Sequence, residues 1–214
     1  MARVLNKQRR LFDFIWSDPH FGHRNVIKYS GRPFMDVDDM TEKLIANYNS
    51  VVGPEDTCLW VGDCFFLSNK KAIDIMDRLN GKKILVKGNH DPTDSQCMKR
   101  GFESVVHEMK VYIQGHPVRI SHYPYWPDFW TELKLKWKGY KSTLRYPERR
   151  PPKIKGEILL HGHTHSNIKV NGNCVCACVE AWNYKPFRVE ELEKIVNTIK
   201  KEQNNKEIKD ESKQ

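Results

Sequence analysis

Five short apolar runs, Leu11–Trp16, Cys58–Val61, Ile84–Val86, Val118–Ile120 and Ile158–Leu160, each break off into a polar island. The islands are Asp18-Pro19-His20, Gly62-Asp63, Gly88-Asn89-His90-Asp91, Ser121-His122 and His161-Gly162-His163-Thr164-His165. Runs this short and this largely apolar, with Asp13 and Arg119 their polar residues, read as buried β-strands. Acids, an amide and imidazoles therefore recur at the carboxyl ends of successive strands. An α/β sheet assembles its ligand site in the crevice at those ends.

The segments between the runs alternate in character. A polar loop with the turn Ser30-Gly31-Arg32-Pro33 follows the first strand. Apolar Met40, Leu44, Ile45 and Tyr48 then predict a helix over about Asp36–Ser50. A second helix is expected over Asn69–Leu79, stopped at Asn80-Gly81, and a short one near Asp94–Arg100. Val105–Ile113 and Val118–Ile120 read as a hairpin across Gln114-Gly115-His116-Pro117. Further strands are expected around Asn167–Val170 and Cys174–Val179, and a final helix over Val189–Lys201. The first half is βαβα and the second hairpin-like, which a two-layered β core flanked by helices satisfies.

The 214 residues fit one domain. It is placed at residues 1–203, with an insertion at 123–155 and a charged tail at 204–214 that is expected to be frayed and flexible. No apolar stretch reaches the ~20 residues that span a bilayer, and no signal-peptide core follows the basic Met1–Arg10. A cytoplasmic protein with no membrane partner is the expectation. Six cysteines without a CxxC pair do not read as a disulfide framework or a structural zinc site. Cys174, Cys176 and Cys178 alternate, and they read as packing on a strand's inner face rather than as a soft-metal cluster. The formal charge of +9 suits a phosphate-bearing substrate.

The donor inventory suits a dinuclear centre. Asp18 and His20, two apart on an extended segment, project to one side and can grip one ion together. Asp63 is placed to bridge two ions, and Gly62 leaves room for close packing beside it. Asn89 offers a neutral oxygen, and His122, His163 and His165 complete the imidazoles. Imidazole mixed with hard oxygen suits Mn2+ first, with Fe or Zn as alternatives, better than calcium or copper.

Asp-x-His, Gly-Asp, Gly-Asn-His-Asp, a following His and Gly-His-x-His, in this order over Asp18–His165, resemble the signature of the calcineurin-like metallophosphoesterase superfamily. The strings Asp18-Pro19-His20-Phe21-Gly22-His23-Arg24-Asn25 and Gly31-Arg32-Pro33-Phe34 resemble its small single-domain branch in bacteria and phages. The resemblance implies a four-layer α/β/β/α sandwich around two metals. It implies Asp18, His20 and His165 on the first ion, Asp63 bridging, and Asn89, His122 and His163 on the second. His90 would assist the leaving oxygen, with Asp91 orienting it. The chain departs from the phosphoprotein phosphatases, because Gly62-Asp63 runs into Cys64-Phe65-Phe66-Leu67 and Asp91 stands where those proteins carry Glu.

Two cations ~3.5–4 Å apart neutralise a phosphoester and generate a bridging hydroxide near neutral pH. A phosphodiester or phosphomonoester of a small nucleotide-like substrate is therefore the leading expectation. A nuclease or nucleic-acid end-processing enzyme is the alternative, and a non-catalytic protein-binding scaffold a third reading. His23 and Arg24 could reach a substrate phosphate, while His161, His107 and His116 are expected to be structural or solvent-facing. The insertion interleaves aromatics and cations, among them Trp126, Trp130 and Arg145. It either overhangs the site as a base- and phosphate-binding surface or simply packs on the body. The sequence leaves the oligomeric state open.

Overall fold

The computed structural model describes residues 10–127, 131–133, 137 and 145–211, the last few side chains of the terminal helix excepted. The elements run β1 (Phe14–Trp16), α1 (Arg24–Tyr29), α2 (Val37–Asn49), β2 (Thr57–Trp60), α3 (Asn69–Met76), β3 (Lys82–Val86), α4 (Asp94–Lys99) and β4 (Ser104–Val106). After these come β5 (Glu108–Ile113), β6 (His116–Ser121), β7 (Ile158–His161), β8 (Val170–Asn171), β9 (Cys174–Cys176), β10 (Phe187–Arg188) and α5 (Val189–Glu211).

Two mixed five-stranded sheets result, ordered β10-β1-β2-β3-β4 and β5-β6-β7-β9-β8. In the first, β1 to β4 pair in parallel and β10 lies antiparallel on the β1 edge. In the second, β6, β7 and β9 are parallel, flanked by antiparallel β5 and β8. Phe14–Trp16 of β1, Cys58–Trp60 of β2 and Ile84–Val86 of β3 are unbroken apolar runs because alternate side chains enter two different cores. Phe14, Trp16, Cys58, Trp60 and Leu85 meet Met40, Leu44, Tyr48, Ala72 and Ile75 of α2 and α3. Ile15, Leu59, Val61 and Val86 instead share a cluster with Val118, Ile120, Ile158, Leu160 and Val175 of the second sheet and with Leu192, Val196 and Ile199 of α5. Cys176 and Cys178 lie in that same inter-sheet core.

Asp36 caps α2 by accepting from the backbone of Asp38 and Asp39, and Thr93 and Gln96 form a reciprocal capping box on α4.

Several expectations are corrected. Val105–Ile113 is not one strand: β4 completes the first sheet, and β5 opens the second. His107 lies between the two strands, so the chain changes sheets within one residue. The loop after β1 holds the helix α1, which has only Val26 buried to mark it and so lacks an apolar stripe. The final helix reaches Glu211 rather than ending near Lys201, because residues 202–211 contain no Gly or Pro to stop it. His116 is half-buried rather than solvent-facing. No helix among the described residues is long and apolar enough to cross a membrane.

Candidate metal centre

The ends of β1, β2, β3, β6 and β7 converge where the sheets meet. Ser17 and Cys178 form a parallel bridge beyond the two sheets, and Asp18 donates its backbone N–H to the Gly62 carbonyl. Glycine is required at the closest approaches. A Cβ on Gly62 would overlap the His122 ring and the Gly88 backbone, and one on Gly162 would overlap the Ser17 hydroxyl and the Asp18 carboxylate.

Two groups of donors result. Asp18, His20 and His165 form one and Asp63, His122 and His163 the other, each with its ligand atoms within 4.8 Å of one another. In the first, His20 Nε2 lies 3.1 Å from His165 Nε2, and each is 3.7 Å from Asp18 Oδ1. In the second, His122 Nε2 lies 3.2 Å from His163 Nδ1, 3.4 Å from Asp63 Oδ2 and 3.2 Å from Asn89 Oδ1. Asp63 Oδ2 is also 3.7 Å from His20 Nε2, so this one oxygen faces both groups.

The backbone is strained just here. Asp18, His20, Asp63, His163 and His165 all have φ between 49° and 68°, a left-handed conformation that side chains disfavour. Such residues persist where the surroundings hold them, and they cluster at ligand clamps.

The set fits divalent cations on its own terms. Asp18 Oδ1 is buried and has no hydrogen-bond partner, an expense that a cation would remove. His122 Nδ1 lies 2.8 Å from the Val61 carbonyl and His165 Nδ1 lies 2.9 Å from Glu180 Oε1. Both rings are thus oriented with Nε2 turned inward. Burial opposes charge on His122, but Asp63 and Asp18 outweigh it and push the imidazole up to about 10. Burial and the neighbouring His122 hold His163 down at about 4.

His90 is 44% exposed, with Nε2 3.9 Å from Asp63 Oδ2. It lines a cavity of about 1210 Å³ together with His20, Asp63, Asn89, His163 and His165. Asp91 does not orient it. The Asp91 carboxylate accepts from the backbone N–H groups of Asp63, Cys64 and Gly88 and makes no hydrogen bond to the His90 ring. It holds the β2 and β3 loops together instead.

The expected substrate residues divide. His23 and Arg145 line the cavity. Arg24 is exposed on α1 and is not among the lining residues. Trp126 donates to Glu132 and lies under the Arg150 guanidinium, packing the segment rather than facing the cavity. Trp130 lies outside the described residues. Tyr146 and Arg150 add to the cavity wall from the same segment. His161 bonds the Gly162 carbonyl through Nδ1, as a strand-closing residue.

Sequence reasoning gives no role to Arg32 or Glu180, whose side chains are 0% and 5% exposed. The available signal is the lone acid in the apolar stretch Cys174–Trp182, since an acid buried among apolar residues needs a partner. Phe66, Tyr29 and Tyr184, which line the cavity, carry no comparable signal.

The chain is 30% identical over 193 residues to the uncharacterized protein MJ1445 of Methanocaldococcus jannaschii, covering 86% of this chain and 90% of that protein. It is 28% identical over 211 residues to the gene 66 protein of Mycobacterium phage L5, covering 87% and 95%. Among solved structures it resembles AQ665 of Aquifex aeolicus, a protein of unknown function. That match has a TM-score of 0.59 and 27% identity, covering 85% of this chain and 97% of that one. No family model matches the chain.

Proposed function

The chain belongs to the family of the archaeal protein MJ1445, and from its site we propose a metal-dependent phosphoester hydrolase of the calcineurin-like metallophosphoesterase type, with that superfamily's α/β/β/α layering. The observation that carries the reading is Asp63 Oδ2, set between His20 and His122 so that one carboxylate serves both donor groups. Asp18, His20 and His165 would hold one ion, Asn89, His122 and His163 the other, and Asp63 both. With nitrogen and oxygen donors and no thiolate among them, manganese is favoured, then iron or zinc. Two such ions, when bound, neutralise a phosphoester and lower the pKa of water for in-line attack.

The chain's own groups supply the rest. His90, on the cavity side of Asp63, donates a proton or hydrogen bond to the leaving oxygen. His23 and Arg145 contact the phosphoester at the cavity wall. The cavity holds a small nucleotide-like substrate, and its aromatic lining by Phe66, Tyr29, Tyr146 and Tyr184 suits a base. A nuclease is the second reading, favoured by the cations Arg145 and Arg150 on the wall and the net charge of +9.

The test is turnover by chelator-stripped, manganese-reloaded protein. The panel is bis-p-nitrophenyl phosphate, p-nitrophenyl phosphate, cyclic nucleotides, nucleoside monophosphates and short single-stranded oligonucleotides. One small class should turn over, fall about 10²–10⁴-fold in His90→Ala, and vanish in Asp63→Ala. Cleavage confined to oligonucleotides selects the nuclease. A metal-loaded protein that hydrolyses nothing overturns the proposal.

A further inference from the structure

The two inward-turned histidines at the sheet junction are held by different chemistry. His122 is oriented by a neutral backbone carbonyl, that of Val61. His165 is oriented by a carboxylate, and that carboxylate is itself clamped. Arg32 reaches Glu180 Oε1 with Nε at 3.0 Å and Nη2 at 2.8 Å. The same guanidinium donates from Nη2 to the Asp18 carbonyl at 2.7 Å and from Nη1 to the Pro19 carbonyl at 2.8 Å. One buried fork thus joins the loop after β1, which carries Asp18 and His20, to the residue that aims His165 from the loop after β7.

The tautomer of His165 follows from the donor inventory. Nδ1 lies 2.9 Å from Glu180 Oε1 and 3.4 Å from Arg32 Nη2. A guanidinium only donates, and a carboxylate only accepts. A hydrogen on Nδ1 therefore points to Glu180, and the lone pair of Nε2 is left for the group that contains Asp18 Oδ1 and His20 Nε2. A carboxylate behind a ligating imidazole also makes the ring a stronger donor than a carbonyl does.

We propose that Glu180, clamped by Arg32, is the positioning residue of the first donor group, holding His165 ready for a divalent cation and strengthening that half of the site alone. The inference rests on the metal reading above and adds that the two halves are unequal in their support. Glu180, at the cavity edge with 5% of its side chain exposed, acts through His165, and Arg32 acts through Glu180 and the Asp18 and Pro19 carbonyls.

The test is manganese titration of the full chain after chelator treatment, followed by electron paramagnetic resonance and calorimetry. Wild type should take up two ions. Glu180→Gln should weaken one of them about 10–100-fold and leave the other within twofold. His165→Ala should weaken the same ion, and Glu180→Gln should then add little, because its effect passes through His165. A purely structural Glu180 would weaken both ions equally or add its full loss in the His165→Ala background, and either result overturns the inference. Unchanged affinity in Glu180→Gln also overturns it, with the metal reading left standing. Wild type that binds no manganese sinks the metal reading itself and this inference with it. Circular dichroism of the metal-free variants checks folding. Should Glu180→Gln not fold, Arg32→Lys, which keeps the charge but loses the fork, should weaken the same ion selectively, and failure to do so counts against the proposal.

Discussion

The two sheets contribute unlike halves of the site. The first supplies Asp18, His20, Asp63 and Asn89 from loops after β1, β2 and β3, together with the exposed His90. The second supplies imidazoles alone, from His122, His163 and His165. Neither sheet holds a complete donor group: Asp18 and His20 need His165, and Asp63 needs His122 and His163. The acids come from the sheet whose outer face is packed by α2 and α3. Three of the four imidazoles, His122, His163 and His165, come from the sheet that also launches the long 123–155 segment. The negative charge of the centre is thus placed on the helix-backed part of the molecule, and the cavity-wall residues Arg145, Tyr146 and Arg150 come from the other.

Three substitutions would sharpen or break that contrast. The largest effect is expected in the first sheet. Asp91→Ala strands three buried N–H groups, of Asp63, Cys64 and Gly88. It should cost about 3–5 kcal/mol, read as a fall in the urea midpoint of the metal-free protein. A loss below about 1 kcal/mol, the net worth of a single hydrogen bond, would mean that the acid-bearing loops do not depend on this carboxylate.

The second sheet should yield less and should do so in a pH-dependent way. Glu157, just before β7, pairs with Arg119 at 2.5 Å and Lys110 at 2.7 Å. Burial raises its carboxyl, but Arg119 and Lys110 outweigh burial and hold it below the usual 4.5. A carboxyl lowered on folding stabilises above its unfolded value, and the gain is lost as pH falls through the folded one. Glu157→Gln should therefore cost about 1–2 kcal/mol at pH 7, and the gap from wild type should close as pH drops below 4.5. A gap that stays constant down to acid pH would show that packing, not charge, is what Glu157 contributes.

The smallest effect belongs to the cavity wall. Arg145→Ala removes an exposed cation that lines the cavity. It should raise KM about three- to tenfold with little change in kcat, the pattern of lost uniform binding. An unchanged KM would reduce the segment to packing, the role that Trp126 already has.

Much of the donor set is legible in the sequence. Aspartate, asparagine and histidine at the ends of five apolar runs are local signals, since strand character and the residue after it lie within a few positions. The readings that fail need information from elsewhere in the chain. The family resemblance pairs Asp91 with its neighbour His90, whereas its partners at Asp63 and Cys64 lie 28 and 27 positions away. Val105–Ile113 reads as one strand because no Gly or Pro interrupts it and only the sheets its two parts join differ. Glu180 has no nearby partner to mark it, because Arg32 lies 148 positions distant.

The sequence alone determined which side chains are candidate metal donors, their order, and their placement at strand ends, because each is written in a local pattern of apolar runs and polar stops. The tertiary structure decided which of them share one ion's reach. His20 and His165, 145 residues apart, come within 3.1 Å of each other because the apolar faces of two sheets bury each other between them. That packing is a sum of many weak, non-directional contacts with no short motif to announce it.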